Sequence, residues 1–120
     1  KYCKQQEIKL AFVSSTSKNN INSIFFCLRD SLSKQDFDFI GNSKLVKKLK
    51  PSAEIYKLAL KELKLKPKDC IAIEDTQVSL NSAVKAKLKC FIFPGNFHRS
   101  KKFNGAFKEI SKINKNIFKS

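Results

Sequence analysis

From residue 8 onward the chain alternates between short apolar runs and stretches in which apolar residues return every three or four positions. Ile8–Ser14 (IKLAFVS) is short and β-rich and predicts a buried strand. Ser17 is placed to cap a helix on which Ile21, Ile24, Phe25 and Leu28 share one face. Phe37–Ile40 predicts a second strand closed by Gly41-Asn42, and Ser43–Lys50 a basic connection. Beyond Lys50-Pro51, the spacing of Ile55, Leu58, Ala59 and Leu63 predicts an amphipathic helix ended by Pro67. Cys70–Ile73 (CIAI) predicts a third strand, Val78–Lys87 a helix, Leu88–Phe93 a fourth strand and Pro94-Gly95-Asn96 a turn. Ala106–Ile110 reads as a last edge strand before a short terminal helix.

Alternation of strand and helix predicts an α/β fold, a parallel sheet with crossover helices on both faces. Such sheets bind ligands at the carboxyl ends of their strands. With 120 residues, one domain spanning 1–120 is expected. The apolar runs are far too short to cross a bilayer, so no membrane association is expected. Methionine is absent altogether, which points to a piece of a longer protein.

Charge raises one rival reading. The net charge is +15, but of 25 basic residues only Arg29 and Arg99 are arginines. Nucleic-acid interfaces favour the forked guanidinium, and these lysines are spread from end to end without interleaved aromatics. A solvated basic surface that concentrates anionic substrates is the expectation, rather than a nucleic-acid face. Cys3, Cys27, Cys70 and Cys90 are widely separated, with no C-x-x-C pair. That argues against zinc and disulfides and for a reducing, cytosolic compartment.

Three polar clusters fall at strand exits or helix entries. Ser14-Ser15-Thr16-Ser17 follows the first strand, where hydroxyls and free N–H groups can cradle phosphate or simply cap the helix. Lys50 precedes the long helix and could reach an anion held by those hydroxyls. Glu74-Asp75 ends the CIAI strand in a chain with only 10 carboxylates, and hard oxygens there suit Mg²⁺. The plainer role for that pair is to favour the start of the next helix.

In combination these runs resemble a known family. Lys50-Pro51-Ser52-Ala53-Glu54-Ile55-Tyr56 is similar to the K-P-x-P-E-I-Y segment of the haloacid-dehalogenase (HAD) superfamily hydrolases. Cys70-Ile71-Ala72-Ile73-Glu74-Asp75-Thr76 resembles their acidic motif, which ends in E-D-S, and Lys9–Ser15 their second motif. Phe93–Phe97 and Phe103–Ala106 are similar to the closing segments of the CbbY/β-phosphoglucomutase branch. The nucleophile motif, D-x-D-G-T/S, is missing. Asp36-Phe37-Asp38 has the letters, but it lacks the hydrophobic strand before it and falls where the family has a structural strand. Ser79 and Phe107 replace a usual Gly and Asp.

The resemblance implies a HAD-like Rossmannoid three-layer sandwich, lacking its nucleophile strand and cap. It implies a Mg²⁺-dependent phosphatase acting on a sugar phosphate through a phospho-aspartate formed upstream, the fragment itself being inactive. Ser14, Ser15 and Lys50 would bind phosphate, Lys50 would also be catalytic, and Glu74 and Asp75 would hold the metal. A monomer with a small phosphorylated substrate is the expected state. The alternatives are a β-phosphoglucomutase-like phosphomutase, or an inactive basic module that binds anions or nucleic acid.

Overall fold

The computed structural model describes residues 1–94 and 103–119. Parallel pairing joins Ala11–Val13 (β1) to Phe39–Gly41 (β2), with Ala11 opposite Phe39 and Val13 opposite Gly41. A second parallel sheet has the order Ile71–Glu74 (β3), Lys89–Ile92 (β4), Lys108–Glu109 (β5). The helices are Tyr2–Gln5 (α1), Lys18–Cys27 (α2), Glu54–Leu63 (α3) and Gln77–Lys85 (α4). The fold is α/β, as the alternation requires, but the sheet is in two parts. Among the described residues β4 alone is paired on both edges; β1, β2, β3 and β5 are each paired on one. None of these helices is long and apolar enough to cross a membrane.

What joins the halves is a helix layer. α3 packs on β1 and β2, α4 on β3 and β4, and the two helices touch each other. Ile55, Leu80, Ala83, Cys90 and Ile92 are buried in one cluster between them, with Val13 of β1 packed against it. Each of the buried Ile and Leu side chains contributes about 1.5–3 kcal/mol relative to exposure. On the far side, Phe12 of β1, Phe25 of α2 and Phe37 meet with ring centroids 5.5, 5.7 and 5.8 Å apart, which seats α2 on the first sheet.

Several boundaries differ from the expected ones for local reasons. β2 starts at Phe39 because Ser33 and Asp36 close a capping box around the turn at Lys34–Asp36. Gly41 lies inside the strand, and a Cβ there would come within 3.1–3.3 Å of Phe39 and Ile55 side chains. α3 stops at Leu63, not at Pro67, because Lys64 turns left-handed at φ 58°. Pro67 instead opens the turn Pro67–Asp69. The last strand is only Lys108–Glu109, a short charged edge, and the terminal segment Lys115–Lys119 is a 3₁₀ helix. Four-residue α1 carries no apolar periodicity, and nothing in the sequence pattern announced it. The turn expected at 94–96 runs into residues outside the described ones.

Candidate active site

At the exit of β1 the hydroxyls are divided between local roles. Ser14 N donates to Gly41 O, continuing the strand ladder, and Ser14 Oγ accepts from Thr16 N at 3.1 Å. Ser17 Oγ accepts from Asn20 N and is the cap of α2 that the sequence predicts. Ser15 does something else. Its Oγ accepts from the backbone N of Lys50 at 3.3 Å, tying the first cluster to the second.

Lys50 lies in the connection between β2 and α3. Glu54 organises that connection by accepting from Lys47 N at 3.0 Å and Lys48 N at 2.7 Å. Those two backbone bonds, with the ammonium charges of Lys47 and Lys48, hold its carboxyl below the ordinary value. The Lys50 side chain turns inward. Its Nζ is 2.8 Å from Glu74 Oε2 and 3.4 Å from Val13 O, so it spans the carboxyl ends of β1 and β3. Both side chains of this ion pair are nearly buried, 7% and 9% exposed.

Glu74 is the last residue of β3, and its carbonyl accepts from Phe93 N at 2.8 Å. Its side-chain Oε2 also accepts a hydrogen bond from the Tyr56 hydroxyl. Burial raises the Glu74 carboxyl above its ordinary value, opposed by the Lys50 charge and its hydrogen bond; Asp75 raises it further and the Ser79 hydroxyl lowers it. Asp75 follows with its side chain exposed, and Thr76 then caps α4 by accepting from Ser79 N at 3.2 Å. Of the residues singled out in the sequence, the structure thus brings Ser15, Lys50 and Glu74 into contact. Ser14 and Asp75 stand next to them in the chain at the same two strand ends.

Tyr56 is the residue that sequence reasoning missed. It shares a helical face with Ala59 and Leu63, three and seven positions on, and is buried with them. A signal was present: a polar-tipped aromatic one turn into a helix, six residues after Lys50. Buried tyrosines need a partner for the hydroxyl, and here the partner is a carboxylate.

The donor set at the end of β3 meets the modest demand of Mg²⁺ for protein ligands. No three His, Cys, Asp or Glu side chains cluster among the described residues. Mg²⁺ needs only one or two carboxylates, the rest of its shell being water and substrate oxygen. Asp75, exposed at a strand end, fits that demand. Glu74 has one oxygen committed to Lys50 and Tyr56, and the Ser79 hydroxyl also bears on its carboxylate, so it has less to offer than Asp75.

Cys90 on β4 lies beneath this pair, fully buried. Burial pushes its thiol up to about 12, with the Glu74 charge adding and Lys50 subtracting. A thiol reagent at pH 8 should therefore modify the exposed Cys27 first and Cys90 last, on unfolding only. Peptide mass spectrometry of a labelling time course checks this; early modification of Cys90 would mean that β4 is not packed as described.

The sequence profile of the haloacid dehalogenase-like hydrolases matches residues 1–93. Protein CbbY of Cereibacter sphaeroides is 35% identical over 103 residues, covering 86% of this chain and 45% of that protein. A crystal structure of a mutant CbbY from Rhodobacter sphaeroides, in complex with xylulose-(1,5)bisphosphate, superposes with a TM-score of 0.83. It is 33% identical, covering 90% of this chain and 48% of that one. β-Phosphoglucomutase from Clostridium difficile gives a TM-score of 0.74 at 28% identity, covering 98% and 50%. The chain thus spans about half the length of the relatives it matches. Profile, relatives and fold agree: the chain belongs to the haloacid dehalogenase-like hydrolase family.

Proposed function

We propose that this chain is the carboxyl-terminal part of the core domain of a Mg²⁺-dependent phosphatase whose substrate is a small sugar phosphate. The observation that carries the reading is the placement of Lys50. A nearly buried ammonium is fixed between Val13 O of β1 and Glu74 of β3, at the strand ends where an α/β sheet binds ligands. Similarity to a CbbY structure that holds a sugar bisphosphate supports the substrate class.

In this reading Lys50 holds phosphate and the attacking carboxylate together, offsetting the repulsion between two anions. Ser14 and the Ser15 N–H bind the oxygens of the transferring group. Asp75, with the Glu74 carboxylate, would hold Mg²⁺, which when bound supplies charge neutralisation to phosphate. The attacking Asp comes from the half of the longer relatives that this chain does not span. Its carboxylate oxygen bonds to phosphorus as the ester bond breaks; the departing alcohol takes a proton from a second Asp, and water then releases phosphate. The free cysteines fit a cytosolic site of action, and the substrate class needs no second subunit.

The 120-residue chain alone should therefore show no turnover, because binding groups cannot form a phospho-aspartate. Phosphate release from sugar phosphates with Mg²⁺ is the assay. Metal-dependent activity of the purified chain would show that the nucleophile lies within it and overturn this assignment.

A further inference from the structure

We propose that Tyr56 is a positioning residue for Lys50, acting through Glu74 and through its own ring; this rests on Lys50 being the cation that faces phosphate. The geometry involves three groups from three elements. The Tyr56 hydroxyl, on the first turn of α3, donates to Glu74 Oε2, the oxygen that also takes Lys50 Nζ at 2.8 Å. The centroid of its ring lies 5.2 Å from that same Nζ. One side chain therefore touches both halves of the ion pair, and it is only 7% exposed.

Lysine is a poor positioning device by itself. Its ammonium is a point charge on a flexible four-carbon stem with three rotatable donors. Here one donor goes to Glu74, a second points at Val13 O over 3.4 Å, and the aromatic face borders the ammonium. One N–H is left over for an incoming anion. Glu74 could release Lys50 by turning its carboxylate, and a second donor on the same oxygen opposes that rotation. Packing alone would not require this arrangement. A phenylalanine would fill the volume, and a buried hydroxyl could be satisfied by a backbone carbonyl.

Tyr56→Phe keeps the ring and removes only the hydroxyl. In the complete protein, kcat should fall on the order of tenfold, with KM for a sugar phosphate changing less than about twofold. The melting temperature should move little. Lys50→Met run beside it separates the two ideas. If Lys50→Met leaves kcat intact, the phosphatase reading of Lys50 falls; if it abolishes activity while Tyr56→Phe is silent, the positioning role alone is overturned. A second readout needs no turnover. In the 120-residue chain, nitrogen-15 spectra of the lysine ammonium groups should show one slowly exchanging signal, assigned to Lys50 by its loss in Lys50→Arg. Tyr56→Phe should merge it with the solvent-averaged lysines, and persistence of the separate signal in that variant would overturn the proposal.

Discussion

Asp75→Asn in the complete protein is expected to lower phosphate release on the order of a hundredfold or more while leaving the fold standing. The two halves of that expectation come from different observations. Asp75 is exposed and precedes the Thr76 cap, so its loss should change stability by no more than about 0.5 kcal/mol. An amide is a weak, neutral ligand for Mg²⁺ and leaves phosphate charge uncompensated. Saturation with Mg²⁺ should restore only part of the rate. A basic binding module on the same fold would behave in the opposite way, since removing an acidic group would preserve or strengthen its hold on a polyanion. Phosphate release and polyanion binding measured on one preparation distinguish the two. Unchanged phosphatase activity in Asp75→Asn would remove Asp75 from the metal site.

The second large effect concerns stability. Lys50→Met should cost about 3–5 kcal/mol, because it strands a carboxylate that is only 9% exposed. Tyr56 would remain as a donor, but a neutral one. Adding Glu74→Gln to Lys50→Met should return a substantial part of that loss, a coupling of roughly 1–3 kcal/mol. Urea unfolding of the two single variants and the double variant closes the cycle. Strict additivity would show that the pair, though in contact, is energetically independent. Activity should not recover in the double variant, since the phosphate-facing cation is still absent.

Much of this molecule could be read from its sequence, because the relevant signals are local. The apolar run Ile8–Ser14 contains β1, Cys70–Ile73 holds all of β3 but its last residue, Glu74, and Ser17 and Thr76 cap the helices that follow. Lys50 and Glu74 could be named since each lies at a punctuation point between elements. Their contact could not, because it closes over 24 residues and depends on how α3 and α4 pack. The same holds for Ser82, whose hydroxyl donates to Ser52 O from the neighbouring helix at 2.5 Å. Tyr56 was obscured for another reason: it shares the buried face with Ala59 and Leu63 and so reads as core, while the partner of its hydroxyl, Glu74, lies on a different element. The division of the sheet could not be read from the apolar runs, which tell that strands are buried and not which edges meet; only the family resemblance, with its missing nucleophile strand, implied an incomplete sheet.

Two of the one-sided strands, β1 and β3, also bear on how the 120-residue chain should behave among copies of itself. A bare strand edge is a row of donors and acceptors that will template pairing with any extended segment it meets. Here two such edges belong to runs with little charge of their own, IKLAFVS and CIAI. Opposing them is the net charge of +15, which keeps like molecules apart over a distance set by ionic strength. That distance is about 10 Å in 0.1 M salt and about 3 Å in 1 M. Salt removes the repulsion and leaves the hydrogen-bonding edges untouched, so colloidal stability should be lost as salt is raised. The lysine excess, first encountered as a hint of nucleic acid, is in the same stroke the repulsion that should hold copies of this chain apart.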